Sequence, residues 1–182
     1  MLLVAIVLVL SLQPIGVAEQ HERESARPLS KIIKQPTFII SVCAGAIGYA
    51  VMSYVMTASP LSMHKIEGHA LEHTKWVVQS HIIAMYLPSL FSAFLIRYFG
   101  LVKLMSIGTL IYLAVTAIAL SGQQVMHYWW AMVLLGIGWN FLFTSGTVLL
   151  PQSYRSNERF KAQAFNDFSI FFTQATASLS AG

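Results

Sequence analysis

Long, nearly uninterrupted apolar blocks constrain this sequence more than any other feature. Six of them follow one another along the chain, over residues 1–17, 36–63, 75–98, 101–121, 127–150 and 162–182. A helix needs about 20 mostly apolar residues to cross the hydrocarbon core of a bilayer, and most of the blocks reach that length. Only 10% of the residues are charged, against about 25% in a typical soluble domain. The sequence therefore predicts a multi-pass membrane protein without a separate soluble domain.

The blocks predict helices rather than the strands of a membrane barrel. Barrel strands alternate polar and apolar residues over about 10 positions, whereas these blocks are longer and continuously apolar. Glycine and proline recur inside them, as is common in membrane helices, and Ser41 and Gly45 have the four-residue spacing that lets two helices approach closely. The predicted fold is all-α, a polytopic membrane helical bundle with six transmembrane helices.

Positive charge is distributed unevenly between the loops. Because successive loops lie on opposite sides of the membrane, nine of the 11 lysines and arginines fall on one side, and only Lys65 and Lys75 fall on the other. Loops rich in these residues stay in the cytoplasm. We therefore expect a bundle in the cell membrane whose charged linker, residues 18–35, is cytoplasmic. Topology accounts for the basic excess, so we predict no nucleic-acid partner.

The first block, residues 1–17, leaves two interpretations open. An apolar stretch at the start of a chain can be a secretory signal peptide, but such a peptide normally begins with a positively charged segment. No basic residue precedes Arg23, and Pro14 interrupts the apolar run. We favour a transmembrane helix here, with a signal peptide as the alternative.

The turn between the third and fourth blocks carries a family resemblance. Residues 93–103 read Ala-Phe-Leu-Ile-Arg-Tyr-Phe-Gly-Leu-Val-Lys. This segment resembles the G-x-L-a-D-R-x-G-R-K cytoplasmic loop of the major facilitator superfamily, in which Leu95 and Gly100 match. Lys103 lies one place beyond the basic pair of that loop, and Arg97 occupies its aspartate position. Gly100 has the backbone freedom that a tight turn requires.

The resemblance also implies which part of the family's fold is present. In that family the turn joins helices 2 and 3, or helices 8 and 9. Only the second assignment leaves a place for the first block, as helix 6, and it makes residues 18–35 the loop between the two halves. Residues 36–182 then resemble the C-terminal bundle, helices 7 to 11, with the last helix missing. We expect a truncated gene product or a partial sequence, whose partners would be the missing transporter helices or N-terminal half.

The implied function is secondary active transport of a small organic solute by alternating access, with proton coupling as one option. Transporters of this kind hold the substrate between two halves at mid-membrane. No phosphate-binding glycine loop, nucleophile elbow or zinc signature occurs in the sequence, so we expect no enzyme, no ATP-driven pump and no cofactor. The alternative is a small multi-pass membrane protein that acts as an assembly or regulatory partner without transport of its own.

Polar side chains inside the blocks indicate where a substrate could bind, because they are unfavourable in lipid and usually face a cavity or another helix. Helical spacing groups them on faces of the second, third, fifth and sixth blocks. The candidates for the substrate cavity are Tyr49, Ser53, Thr57, Gln79, Met85, Tyr86, Asn140, Thr144 and Gln174. Their aromatic and amide groups favour an amphipathic organic substrate, and ordinary helix packing is the alternative for each residue.

His81 and Asp167 are the candidates for proton or ion coupling. Asp167 is the only acidic residue inside a block, and Arg97 is its candidate partner in a gating ion pair. The alternatives are a packed neutral histidine and an acid near the start of a helix, beside Arg159 and Lys161.

His69 and His73 have the spacing of a metal-binding pair on a helix. They resemble part of the histidine boxes of membrane di-iron oxygenases. Those enzymes need more histidines than the six of this chain, and place them on the cytoplasmic side, whereas this pair is expected to face outward. We therefore predict no metal site.

Overall fold

The computed structural model describes residues 25–181, and every regular element within that range is helical. Its α-helices are α1 (Leu29–Ile32), α2 (Pro36–Leu61), α3 (Leu71–Tyr86), α4 (Ser92–Phe99), α5 (Leu101–Ser121), α6 (Val125–Leu149) and α7 (Arg159–Ser180). The prediction of an all-α bundle is confirmed. The first predicted block, residues 1–17, and the first part of the linker lie outside the described residues.

The third predicted block is divided between two helices. A 3-10 turn, Leu87–Phe91, separates α3 from α4, and Pro88 lies in its first positions. Proline has no backbone N–H and its ring crowds the preceding turn, so an α-helix is interrupted there. The second block also departs from a simple helix, since α2 continues into a π-helical turn over Ser62–Ile66.

Four helical stretches within residues 25–181 are long and apolar enough to cross a membrane: Pro36–Ile66, Leu71–Phe99, Leu101–Ser121 and Val125–Ser153. They correspond to the second, third, fourth and fifth predicted blocks. Helix α7, with 22 residues, has a length of roughly 33 Å, but it is more polar than these four because it carries Gln163, Asn166, Asp167 and Gln174.

Helix α6 lies at the centre of the bundle, where it packs against α2, α3 and α5, while α7 packs chiefly against α2. Glycines permit the closest contacts, as the spacing of Ser41 and Gly45 predicted. A Cβ added at Gly45 would lie 2.9 Å from Ile170 Cδ1 of α7, and one added at Gly146 of α6 would lie 3.0 Å from the carbonyl oxygen of Ser41. Helix α7 and helix α6 therefore meet neighbouring parts of the same face of α2.

Hydrogen bonds between loops define the two ends of the bundle. At one end, Gln35 Nε2 donates to the carbonyl oxygen of Ser153 at 2.9 Å, which joins the segment before α2 to the segment before α7. At the other end, His69 Nε2 donates to the carbonyl oxygen of Gln123 at 2.8 Å, which joins the α2–α3 and α5–α6 connections. The structure thus groups the loops as the alternation of blocks predicted. The assignment of the first end to the cytoplasm stays a prediction.

Candidate functional site

A cavity of about 390 Å³ lies between α2, α6 and α7. It opens within the helical part of the bundle and extends to the loop that precedes α7. Its lining combines aromatic rings with polar groups, which are supplied chiefly by Tyr49, Phe143, Phe171, Ser41, Asn166 and Asp167. The volume falls at the lower end of the range of about 300–1,000 Å³ that is usual for small-molecule sites.

Three aromatic rings pack together beside this cavity, and two of them, Tyr49 and Phe143, line it. Trp139 and Phe143, four residues apart on α6, are stacked with ring centroids 5.0 Å apart and an angle of 9° between planes. Tyr49 of α2 meets both rings edge-on, at 5.3 Å from Trp139 and 5.5 Å from Phe143. Edge-to-face and stacked contacts of this kind are favourable and hold each ring in one orientation.

Polar side chains of α7 form the opposite wall of the cavity. Asn166 Nδ2 donates to Asp167 Oδ1 at 3.0 Å, and Gln163 Nε2 donates to the hydroxyl of Tyr154 at 3.1 Å. Across from them on α2, Ser41 is buried and its Oγ has no hydrogen-bond partner in the described part of the chain. A buried hydroxyl without a partner is unfavourable, and because this Oγ atom is almost completely covered where α2 meets α6, the accessible polar groups of the cavity are those of α7.

A second, more open groove of about 470 Å³ continues along α2 and α7. Ser53, Thr57 and Gln174 line it, and Phe171 borders both this groove and the cavity. The hydroxyls of Thr57 and Ser178 lie 3.2 Å apart across it. The structure therefore brings together the predicted cavity residues of α2 and α7.

The predicted cavity residues of α3 and α6 are placed differently. Asn140 is only 2% exposed, and its Nδ2 donates to the carbonyl oxygen of Met85 at 2.8 Å and to Ser89 Oγ at 2.5 Å. The amide thus joins α6 to the helical stretch beginning with α3. Gln79 and Tyr86 of α3 are exposed, and Thr144 is half-buried. None of these residues lines the cavity or the groove.

His81 lies completely buried where α3 meets α6. Its Nδ1 donates to the carbonyl oxygen of Met132 at 2.8 Å. Its Nε2 has no hydrogen-bond partner within residues 25–181. The side chain therefore contributes to the contact between the two helices, and its role in proton coupling stays a prediction.

Asp167 borders the cavity without forming an ion pair among the described residues. Arg97 is exposed at the end of α4, and the two alternative basic neighbours bond elsewhere. Arg159 Nε donates to Gln163 Oε1 at 3.3 Å, and Lys161 Nζ donates to the carbonyl oxygen of Arg27 at 2.5 Å. Neither the gating pair nor the pairing at the helix start forms in this conformation.

The turn within residues 93–103, the segment that resembles the major facilitator loop, consists of a single residue, Gly100, between α4 and α5. Its φ of 77° lies in the region that favours glycine. Arg97 and Lys103 are exposed on either side of it, and Leu95 is half-buried.

Within residues 25–181, no group of three or more histidine, cysteine, aspartate or glutamate side chains could hold a metal ion. His69 is bonded to Gln123, as described above.

A buried ion pair beside the loop that precedes α7 was not among the sequence-based candidates. Arg27 Nε and Nη2 donate to the two carboxylate oxygens of Glu158 at 2.8 and 2.6 Å, and the carboxylate has no solvent exposure. The backbone N–H groups of Arg27 and Arg155 complete its hydrogen bonds, at 2.8 and 3.0 Å. The one sequence signal is that Glu158 is the single acid in the basic stretch 151–161.

The stability contributed by this pair depends on pH. Hydrogen bonds from the Arg27 side chain lower the pKa of the Glu158 carboxyl from 4.5 to about 2, against the opposing effect of burial. A group with a lowered pKa in the folded state contributes stability above its unfolded pKa and loses that contribution as the pH falls through its folded pKa.

We expect the difference in free energy of unfolding between the original chain and Glu158→Gln to be constant from neutral pH to about pH 5. It should then shrink between pH 4.5 and about 2. Glu72→Gln, an exposed acid, is the matched control, and the same pH dependence in both variants would contradict the assignment.

Phe143 and Asn166 were also absent from the sequence-based candidates. Phe143 resembles any apolar residue of a membrane helix, so its position in the sequence does not distinguish it. Asn166 directly precedes Asp167, so an amide beside the one acid of the helix was the available signal.

Comparison with known proteins identifies relatives of this chain. It is 43% identical over 159 residues to the riboflavin transporter RfnT of Brucella anthropi, an alignment that covers 87% of this chain and 40% of that protein. It is 34% identical over 146 residues to the MFS-type transporter YdeG of Bacillus subtilis, covering 79% of this chain and 34% of that protein. A second Bacillus subtilis MFS-type transporter, YddS, is 26% identical over 174 residues, covering 92% and 40%.

The chain therefore spans well under half the length of these relatives. All three are named as transporters rather than enzymes, as the sequence predicted. No family model matches the chain, and no solved structure matches it.

Proposed function

Because this chain is a multi-pass homologue of part of the major facilitator superfamily transporters, we propose that it takes part in secondary active transport of a small organic solute. The cavity between α2, α6 and α7 is the observation that carries this proposal. It lies between α2 and α6, which are long and apolar enough to span a membrane, and the more polar α7. It has the volume of a small-molecule site and combines apolar rings with polar groups. Those are the properties that a carrier of an amphipathic solute needs.

The proposed substrate class is a flavin. The relative that is 43% identical is named a riboflavin transporter. Riboflavin combines a flat, uncharged ring system with a polyol tail, so it needs both aromatic contacts and hydrogen bonds. Tyr49 and Phe143 offer the first, while Asn166 and Asp167 offer the second.

Asp167 is the proposed coupling residue. Its carboxylate borders the cavity and has no cationic partner among the described residues, as expected of an acidic side chain that serves an ion or substrate pathway. His81 is the second candidate, because its buried Nε2 has no partner in the same part of the chain.

We further propose that the end of the bundle holding Arg27 and Glu158 faces the cytoplasm. Eight basic residues of the described chain lie at that end, against Lys65 and Lys75 at the other, which is the asymmetry that keeps loops in the cytoplasm. The proposed partners are further helices of a complete transporter. Large apolar side chains that are exposed on α3 and α4, such as Ile83 and Phe94, offer a surface for them or for lipid.

Uptake of labelled riboflavin tests the proposal. The host is a bacterial strain that requires riboflavin and has no importer for it. The 182-residue chain is expressed alone, and also together with the part of RfnT that lies outside the aligned region. We expect uptake above the level of either part alone in the combined strain. If intact RfnT restores uptake in that host and the combination does not, the proposed function is wrong.

Replacing Asp167 with asparagine tests the coupling proposal in the same strain. We expect uptake driven by a pH gradient to fall to background, because asparagine keeps the size of the side chain but cannot take up a proton. Glu72→Gln, an exposed acid near the start of α3, is the matched control and should leave uptake unchanged. Gradient-driven uptake that survives in Asp167→Asn would reject this role.

A further inference from the structure

We propose that one face of the Phe143 ring is a stacking surface that selects substrates with a flat, conjugated heteroaromatic ring. This inference rests on the proposed function and narrows it. It states that the protein recognises the flat ring system of a flavin rather than its polyol tail.

The two faces of the Phe143 ring have different surroundings. Trp139 covers one face, in a near-parallel stack with centroids 5.0 Å apart. Trp139 precedes Phe143 by one helical turn, whereas the other residues of α6 that line the cavity, from Gly146 to Leu150, all follow it. The cavity therefore lies on the side of Phe143 away from Trp139, and the second face of the ring borders it.

The orientation of this ring is fixed before any ligand binds. Trp139 is 5% exposed and holds Phe143 from behind, while Tyr49 meets Phe143 edge-on at an angle of 85°. A ring that is already held in place loses little conformational freedom when a ligand stacks on it. Flat ligands gain from this arrangement because offset stacking needs two extended parallel faces, which a polyol does not have.

The cavity that Phe143 lines also carries polar side chains of α7, which could bond the edge of a stacked ligand. The carboxylate of Asp167 can accept a hydrogen bond from a ring N–H, and the neighbouring Asn166 amide, which uses one N–H to bond Asp167, can donate its second N–H to a ring carbonyl. A heteroaromatic ring with an imide edge has both of these groups side by side. The Phe143 ring and these polar side chains together therefore fit an isoalloxazine-type ring better than an aliphatic or sugar-like solute.

Binding of lumiflavin, an isoalloxazine without the polyol tail, tests the inference. The purified 182-residue chain in lipid nanodiscs is titrated with lumiflavin, and the flavin fluorescence is followed. We expect saturable binding that an excess of ribitol does not displace. Phe143→Leu keeps an apolar side chain but removes the ring, and should weaken binding about five-fold, while Phe143→Tyr keeps the stacking face and should weaken binding less.

Phe168→Leu is the matched control, because Phe168 is an exposed ring of α7 that does not line the cavity. Circular dichroism establishes that each variant keeps its helix content. Unchanged lumiflavin binding in Phe143→Leu, equal weakening in Phe168→Leu, or no binding by the folded original chain would each overturn the inference. Riboflavin uptake without lumiflavin binding would leave the transport proposal standing, whereas lumiflavin binding without uptake would contradict transport and leave the stacking surface standing.

Discussion

Replacing Arg27 with alanine is expected to lower the free energy of unfolding of this chain by about 3 kcal/mol. The substitution removes both side-chain donors from the Glu158 carboxylate, which has no solvent exposure. Removing one partner of a buried ion pair typically costs about 3–5 kcal/mol, because the remaining charge stays unpaired away from water. The Arg27 side chain is itself 30% exposed, so the expected effect lies at the low end of that range.

Unfolding by a denaturing detergent in mixed micelles measures this effect. Lys31→Ala is the matched control, since Lys31 lies in the same basic segment but is exposed. The double variant Arg27→Ala with Glu158→Gln should recover part of the lost stability, because no unpaired charge then remains. A loss no larger in Arg27→Ala than in Lys31→Ala would show that the ion pair does not stabilise this end of the bundle.

Replacing Gly136 with alanine is expected to destabilise the contact between α3 and α6 by about 3 kcal/mol. A Cβ at this position would lie 2.8 Å from the carbonyl oxygen of His81 and 2.9 Å from the backbone nitrogen of Met85. Both are backbone atoms of α3, so no side-chain rotation can relieve the overlap and the whole helix must move. That movement would also lengthen the His81–Met132 and Asn140–Met85 hydrogen bonds. Overpacking usually costs about 1–3 kcal/mol, and a clash with backbone belongs at the upper end.

Gly48→Ala is the matched control for this prediction. The nearest atom to a Cβ at Gly48 is Leu142 Cβ at 3.5 Å, an ordinary van der Waals distance. Alanine also favours a helix over glycine by up to about 1 kcal/mol, so this variant should be neutral or slightly more stable. Both variants are unfolded in the same mixed micelles. Equal stability of Gly136→Ala and Gly48→Ala would mean that α3 and α6 do not approach each other as closely as the structure describes.

The helical architecture could be predicted from the sequence because it depends on local properties. Apolar length decides where a helix can cross a bilayer, and helix α5 begins and ends at the residues predicted for the fourth block, 101–121. Pro88 was visible as well, but apolar length alone does not reveal that the third block divides there into α3 and α4. The prediction that the loops fall at two ends of the bundle followed from the apolar blocks, because each membrane-spanning helix carries the chain from one side to the other.

The candidate site could be predicted only in part. Helical spacing identifies which residues share a face, and on that basis Tyr49 and Asp167 were singled out. Both line the cavity, and their roles in substrate binding and coupling stay predictions. The same reasoning selected Asn140, whose face is covered by α3. Periodicity contains no information about which neighbour covers a face, so polar residues at a helix contact and polar residues at a cavity look alike in a sequence.

The sequence by itself determined that this chain is a bundle of membrane helices with its basic loops at one end, since hydrophobic length and charge are properties of each segment alone. Only the tertiary structure decided that α2, α6 and α7 line a cavity, that Phe143 borders it, and that Glu158 is buried against Arg27. Those features arise from contacts between residues far apart in the chain. Helix packing sets such contacts through the fit of side chains across an interface, which no single segment specifies.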